Sequence, residues 1–143
     1  NGFNIDVPDK FKSNMSFISF HDNKLIDNPD YIISQNENDV QNYIEASDIV
    51  VSKFGYSTAA ESLRSRKPMI LTGRDIIEDR SAIRTLKDLN VVKEISRSDF
   101  LSGRWLEHVE EYLDLKKNYE GLPDRFQNDG REEAISCIQE FLN

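Results

Sequence analysis

The most constraining feature of the sequence is residues 47–72, which predict a strand, a glycine turn, a helix and a second strand. Two short apolar runs, at 49–51 and 69–71, are typical of strands covered on both faces in a parallel sheet. A helix is predicted between them, and Pro68 marks its end. Strand, helix and strand in this order favour a right-handed parallel crossover. The sequence therefore predicts an α/β fold.

The start of this helix is the first candidate for a functional site. Gly55 marks the turn, Ser57 or Thr58 is predicted as the N-cap, and Glu61 follows Thr58 at the spacing of a capping box. Glycine lets the chain turn sharply and lets a ligand approach the backbone. The free N–H groups of such a helix lie at the carboxyl ends of the strands, where open α/β sheets bind anions. The same pattern occurs in α/β proteins without a ligand, so both interpretations stay open at this point.

The other periodic segments complete an α/β domain with at least five strands. Strands are predicted at 15–20, 31–34 and 91–95, and Ser98 is predicted to cap a helical stretch after the last of them. The fold class that we predict is a doubly wound, Rossmann-like parallel sheet with helices on both faces, in a single domain. The predicted helices carry their apolar positions at Val40, Tyr43 and Ile44, at Ile83, Leu86 and Leu89, and at Trp105, Leu106, Val109, Tyr112 and Leu113.

A separate helix is predicted at the end of the chain. Asp129 and Glu132 have capping-box spacing, and Cys137 lies beside an apolar stripe as a packing residue. The stripe is predicted to dock on the sheet, and it consists of Ala134, Ile135, Ile138, Phe141 and Leu142. A single cysteine cannot form an internal disulfide, so we expect a cytoplasmic protein. The sequence contains no Cys/His cluster with the spacing of a zinc site, so no metal site is expected.

Length and charge restrict the classes of function. The chain of 143 residues fits one domain, and its first residue and lack of a leader indicate an N-terminally truncated piece of a longer protein. No apolar run approaches the length of a membrane span. The net charge of −8 argues against a nucleic-acid-binding protein, because such proteins cluster Lys and Arg. An anionic ligand must therefore be held by local groups.

Three segments of the sequence resemble a known family. SDIVVSKFGYSTAAES, KPMILTGR and EDRSA are similar, in order and spacing, to the carboxyl-terminal donor-binding domain of GT-B glycosyltransferases of the family 28 type, which includes the peptidoglycan N-acetylglucosaminyltransferase. The resemblance covers most of residues 31–96. It implies a domain that binds a nucleotide-sugar donor, most often a UDP-sugar, without a cofactor or a metal.

The resemblance also assigns roles to individual residues. The diphosphate would face Gly55 and the N–H groups near Ser57 and Thr58, and the ribose hydroxyls would bind Glu61. Asp79, Arg80 and Ser81 would lie beside the sugar, and residues 35–37 would hold the base. The implied substrate-binding set is Gly55, Tyr56, Ser57, Thr58, Glu61, Asp79, Arg80, Ser81 and Asn36. No catalytic residue is expected here, because the family's catalytic base belongs to an N-terminal acceptor-binding domain, through which peripheral membrane contact would also occur.

Two departures from the family pattern keep other functions open. Ser81 stands where the family often has Gln, and Asn36 lies where an apolar residue often contacts the base. Alternatives are a sugar-nucleotide epimerase or hydrolase of the same architecture, or a non-catalytic interaction domain that kept the fold. His21, after the first predicted strand, is expected to be a hydrogen-bonding loop residue.

Overall fold

The structure is a computed structural model that describes residues 9, 14–19, 31–33, 39–123, 126 and 130–142. Within these residues the strands are β1 (Phe17–Ser19), β2 (Tyr31–Ile33), β3 (Val50–Lys53), β4 (Met69–Thr72) and β5 (Val92–Glu94). The α-helices are α1 (Val40–Ala46), α2 (Tyr56–Arg64), α3 (Ile77–Asp88), α4 (Arg97–Ser102), α5 (Val109–Leu113) and α6 (Arg131–Leu142). Two 3₁₀ segments, Arg104–His108 and Asp114–Gly121, flank α5.

The strands pair in parallel, which confirms the predicted α/β class. In the order β3-β4-β5, Val50 lies opposite Met69 and Met69 lies opposite Val92. β1 and β2 form a second parallel ladder, in which Phe17 lies opposite Tyr31. The sequence led us to expect one sheet of at least five strands. Among the described residues, the hydrogen bonds instead form a three-stranded and a two-stranded ladder.

The central strand β4 is buried along its whole length. Met69 and Ile70 are 0% exposed, and Leu71 and Thr72 are almost as deeply buried. Successive side chains of a strand point to opposite faces, so burial of every residue requires packing on both faces. The unbroken apolar run in the sequence therefore predicted this strand correctly.

Each face of the three-stranded sheet packs against its own apolar cluster. On one face Ile70 packs with Trp105, Leu106, Val109 and Tyr112, and Phe17 of β1 packs against the same cluster. This arrangement confirms that Trp105 is a core residue. The cluster on the other face comprises Phe54, Ala59, Met69, Leu71, Ile83, Leu86, Val91, Val92 and Tyr119. Helices and 3₁₀ turns thus cover both faces, as a Rossmann-like domain requires.

Two details of the helix after β5 differ from the prediction. The N-cap of α4 is Ser96 and not Ser98, because the helix begins at Arg97 and the Asp99 N–H therefore donates to Ser96 Oγ at 3.0 Å. The stripe from Trp105 to Leu113 was predicted as one helix, but it consists of a 3₁₀ segment followed by α5. The two forms bury nearly the same residues, since they share the side-chain spacing of three.

The prediction that the last helix docks on the sheet is wrong. In α6 the apolar residues Ile135, Ile138 and Phe141 are exposed, and Phe141 is 91% exposed. Cys137, predicted to pack, is exposed as well. The physical reason is that α2, α3 and the segment 104–122 already cover both faces of the three-stranded ladder. The proposed capping residue Asp129 lies outside the described residues.

Tyr119 joins the segment after α5 to the turn before β4. Its ring is 1% exposed, and its hydroxyl donates to the backbone carbonyl of Lys67. Burial raises the pKa of the Tyr119 hydroxyl, so this group stays protonated and able to donate well above neutral pH. The contact spans 52 positions of the sequence and thus stabilises tertiary structure.

We predict that Tyr119→Phe lowers the free energy of unfolding by about 1–2 kcal/mol, because the Lys67 carbonyl loses its buried donor. Urea denaturation followed by circular dichroism measures this difference. Tyr56→Phe is the matched control, since Tyr56 is 65% exposed and its loss of a hydroxyl should change stability by less than about 0.5 kcal/mol. Equal stabilities of the two variants would contradict the structural role of the Tyr119 hydroxyl.

Candidate functional site

The candidate site lies at the carboxyl ends of β3 and β4. β3 runs through Phe54 and Gly55 into α2, and β4 runs through residues 73–76 into α3. The Phe54 N–H donates to the Thr72 carbonyl at 2.9 Å, which holds the two strand ends side by side. The beginnings of α2 and α3 therefore share one edge of the sheet, the edge where open parallel sheets bind ligands.

The N-terminus of α2 differs from the prediction. Gly55 is the N-cap, the helix begins at Tyr56, and no side chain caps it. Ser57 and Thr58 were predicted as N-caps, but they lie inside the first turn because the strand ends directly before Phe54. The capping box is therefore absent, and the Glu61 carboxylate makes no hydrogen bond or ion pair with the described part of the chain. The N–H groups of residues 56–58 likewise have no described partner.

The backbone at Gly55 does not need a glycine. Its φ of −154° and ψ of 135° are extended values that any residue adopts. A Cβ placed there would come no closer than 4.0 Å to another heavy atom, Thr58 Oγ1. The expectation that glycine is needed for a sharp turn is therefore wrong. Close approach by a ligand is a use of this glycine that the geometry still permits.

Exposed apolar side chains lie beside the two loops. Tyr56 is 65% exposed, and its ring meets Phe54 edge to face at a centroid distance of 5.1 Å. Ile76 and Ile77 are also exposed, at the start of α3. Exposed aromatic and aliphatic groups around unpaired N–H donors form a surface of the mixed character that ligand sites have.

Arg74 and Asp79 form an ion pair that fixes the loop between β4 and α3. Arg74 Nε–H donates to Asp79 Oδ2 at 3.1 Å, and Nη2–H donates to Oδ1 at 2.9 Å. The backbone N–H of Arg74 donates to the same Oδ2 at 2.9 Å. The Asp79 side chain is 1% exposed, whereas the Arg74 side chain is 71% exposed. The pair thus joins a buried carboxylate to a guanidinium that faces solvent.

The hydrogen bonds of this pair change both pKa values. The Arg74 side chain, and then its backbone N–H, hold the pKa of Asp79 below its ordinary value of 3.8. The hydrogen bond and the charge of Asp79 raise the pKa of Arg74. The carboxylate is therefore ionised and fully engaged at neutral pH. The structure gives Asp79 a positioning role, and its predicted contact with a sugar stays a prediction.

The remaining predicted site residues are distributed around this edge. Arg80 is exposed and pairs with Asp75 at 3.2 Å, and Ser81 beside it is exposed. Arg80 also lines an open groove of about 390 Å³ with Arg84, Lys87 and Glu94. Asn36, with the rest of the predicted base loop, and His21 lie outside the described residues. The structure thus brings residues 55–58 and the Arg74–Asp79 pair to one edge of the sheet.

Sequence reasoning missed Arg74 as a candidate site residue. It was visible in the KPMILTGR segment, directly after a buried strand and a glycine. A cation at the carboxyl end of a predicted parallel strand is a usable signal for an anion site. What the sequence could not give is the buried partner five residues later, because spacing alone does not distinguish Asp79 from Asp75 or Glu78.

No helix among the described residues is long and apolar enough to cross a membrane. No group of three or more His, Cys, Asp or Glu side chains in the same part of the chain is arranged to hold a metal ion.

Comparison with known proteins gives a similarity over part of the chain. No protein-family model matches the sequence. The chain is similar to L-arabinokinase from Arabidopsis thaliana, with 33% identity over 79 residues. These residues are 54% of this chain but 8% of the plant protein, so the chain corresponds to a small part of its relative.

We predict that the stabilising effect of Asp79 disappears in acid. Because the pKa of Asp79 is lowered on folding, its contribution is fully present above the unfolded value of 3.8 and is lost as pH falls through the folded value. The unfolding free energies of the parent and Asp79→Asn should therefore differ by a constant amount from about pH 5 to 7 and converge below about pH 4. Asp75→Asn is the control, since Asp75 is exposed and should show little difference throughout. A parent–Asp79→Asn difference that persists unchanged at pH 3 would contradict the assignment.

Proposed function

We propose that the chain binds a nucleotide-sugar donor, with a UDP-sugar as the first candidate, for transfer of the sugar to an acceptor. The observation that carries this proposal is the uncapped N-terminus of α2 at the carboxyl edge of the sheet. Its unpaired N–H groups are oriented donors, and the helix dipole adds a partial positive charge there. A diphosphate is an anionic acceptor that suits these N–H donors. The family resemblance of the same segment supports this assignment independently of the geometry.

Each residue near the edge has a place in this proposal. Gly55 and the N–H groups of residues 56–58 face the diphosphate, and the exposed Tyr56 ring flanks it. Glu61 does not cap the helix, so its carboxylate is available to accept hydrogen bonds from both hydroxyls of a ribose. Arg80 and Ser81 are exposed at the start of α3 and face the sugar. Asn36 belongs to the loop assigned to the base.

The proposed chemistry divides between two domains. As the bond between the sugar's anomeric carbon and the diphosphate breaks and the bond to the acceptor oxygen forms, negative charge develops on the leaving diphosphate. The N–H groups of α2 stabilise that charge. The group that deprotonates the acceptor belongs to an N-terminal acceptor-binding domain. The 143-residue chain alone is therefore expected to bind the donor without turnover, and its affinity is weak because one wall of the cleft leaves much of the ligand hydrated.

The similarity to L-arabinokinase favours a second candidate, a domain of a sugar-phosphorylating protein. The name of that relative describes phosphorylation of L-arabinose, and ATP is the probe for the phosphate donor that such a reaction needs. Titration with UDP, UDP-sugars, ATP and L-arabinose, followed by backbone amide shifts, separates the two. Preference for UDP with shifts at residues 55–58 supports the glycosyltransferase proposal. Preference for ATP or arabinose supports the kinase, and binding of none supports a non-catalytic interaction domain.

The epimerase or hydrolase alternative shares the nucleotide pocket and differs in its product. It is tested in a longer protein that includes the acceptor-binding domain. Release of free or epimerised sugar in the absence of an acceptor would favour it, whereas transfer that depends on an acceptor supports the proposed function.

We predict that Gly55→Ala separates folding from binding. The unfolding free energy should stay within about 1 kcal/mol of the parent, because the extended backbone and open space accept a methyl group. UDP binding should weaken about tenfold or more, because the methyl group occupies the position of the diphosphate. Gly121→Ala is the control, since a Cβ at Gly121 meets nothing within 4 Å and lies away from the site. If Gly55→Ala binds UDP as tightly as the parent, the diphosphate does not bind at this turn.

We predict the same separation for Glu61→Gln, for a different reason. Because the carboxylate caps nothing in the described chain, the variant should keep its stability within about 0.5 kcal/mol. The loss of a charged acceptor for the ribose hydroxyls should weaken UDP binding about tenfold. Isothermal titration and thermal unfolding measure the two effects, with the exposed Glu110→Gln as control. If Glu61→Gln binds UDP as tightly as Glu110→Gln, Glu61 is not the ribose ligand.

A further inference from the structure

We propose that the guanidinium of Arg74 binds the phosphate groups of the ligand. Asp79 holds one side of this guanidinium in place, and the opposite side of the guanidinium faces solvent. No motif of the sequence assigned this residue a role. The inference takes its ligand class, a nucleoside diphosphate, from the proposed function. The anion site itself rests on the geometry of Arg74 and Asp79.

The first observation is the asymmetry of burial within the pair. Asp79 is 1% exposed and Arg74 is 71% exposed, although three hydrogen bonds of 2.9 to 3.1 Å join the two residues. An exposed arginine side chain is normally mobile, and ordering it for a ligand costs conformational entropy. Here the buried carboxylate orders the guanidinium before any ligand arrives, so that cost is reduced at the moment of binding.

The second observation is the number of donors left over. A guanidinium has five N–H donors, and Asp79 accepts from one on Nε and one on Nη2. The remaining three, both on Nη1 and one on Nη2, have no hydrogen-bond partner among the described residues. They lie on adjacent nitrogens in one plane, which is the arrangement that binds two phosphate oxygens at once.

The third observation is the location. Arg74 follows Thr72 and Gly73 at the carboxyl end of β4, next to the end of β3 that leads into α2. The Phe54 N–H donates to the Thr72 carbonyl at 2.9 Å, and Tyr56 and Arg74 each lie two residues further along the chain. Arg74 and the first turn of α2 therefore lie at the same edge of the sheet, as a phosphate that contacts both groups requires. In a domain of net charge −8, a local cation is needed for such an anion.

The competing explanation is that the pair only stabilises the loop. A loop-stabilising arginine would be insensitive to anions, and its replacement would affect folding alone. Lysine at this position keeps the positive charge beside Asp79, so it preserves most of the stabilisation. It lacks the planar fork of donors that we assign to the phosphate. Arg74→Lys thus distinguishes the two explanations even if Arg74→Gln folds poorly.

The experiment is calorimetric titration of the parent, Arg74→Gln and Arg74→Lys with inorganic pyrophosphate and with UDP, after thermal unfolding has shown that each variant is folded. Arg84→Gln is the control for charge, because Arg84 is exposed on α3 and its replacement changes the net charge equally. We expect Arg74→Gln to weaken both ligands about tenfold or more and Arg74→Lys to weaken them several-fold. Arg84→Gln should stay within about twofold of the parent, as expected for an exposed charge that salt screens.

The outcomes separate this inference from the proposed function. Equal losses in Arg74→Gln and Arg84→Gln, or parent affinity in Arg74→Lys, overturn the role of Arg74. If UDP binding depends on Glu61 but not on Arg74, the inference fails and the proposed function stands. If pyrophosphate binding depends on Arg74 while UDP binds no more tightly than pyrophosphate, the anion site stands and the nucleotide-sugar function falls. Absence of binding by both ligands overturns both.

Discussion

The complete burial of β4 is the constraint on which the rest of this domain depends. A strand with no exposed residue needs apolar partners above and below it, and hydrogen-bonded strands on both sides. Ile70 receives the Trp105 cluster on one face, while Met69 and Leu71 receive α2, α3 and Tyr119 on the other. Elements far apart in the sequence therefore have to meet at this strand. The Tyr119 hydroxyl donates to the Lys67 carbonyl and so holds one of these distant elements in place.

The same constraint places the candidate site. Because β3 and β4 are parallel and in register, their carboxyl ends lie side by side, and each continues into a helix whose beginning faces the same edge. The apolar interior fixes these helix ends without using their N–H groups. The chemistry of the edge is thus left to the loops, which carry Gly55, Tyr56 and Arg74. A rigid sheet with variable polar loops is the usual way in which such folds hold a ligand.

The sequence predicted those parts of the structure that local pattern determines. The apolar runs of β3 and β4 and the helix between them were placed to within a few residues, since strands in the interior of a parallel sheet leave unbroken apolar runs. The N-caps of α2 and α4 were predicted wrongly, because a shift of even one residue in the helix start changes which side chain reaches the free N–H groups. The docking of α6 was predicted wrongly as well, since an apolar stripe shows what a helix could cover but not whether a surface remains. Arg74 was missed because its importance depends on a buried partner, which is a tertiary property.

The ion pairs of this protein differ in what they imply. Lys87 with Glu94 and Arg80 with Asp75 are exposed on both sides, so water competes for every donor and such pairs contribute little. In the Arg74–Asp79 pair, the buried carboxylate cannot be left without its partner, because an unpaired buried charge is strongly unfavourable. Folding therefore fixes the guanidinium, but the bonds to Asp79 occupy two of its nitrogens and leave the third without a described partner. A solvent-facing, ordered and partly unused guanidinium, at the same edge of the sheet as unpaired helix N–H groups, is more than stability requires. The proposed recognition of an anion would account for both features with one ligand.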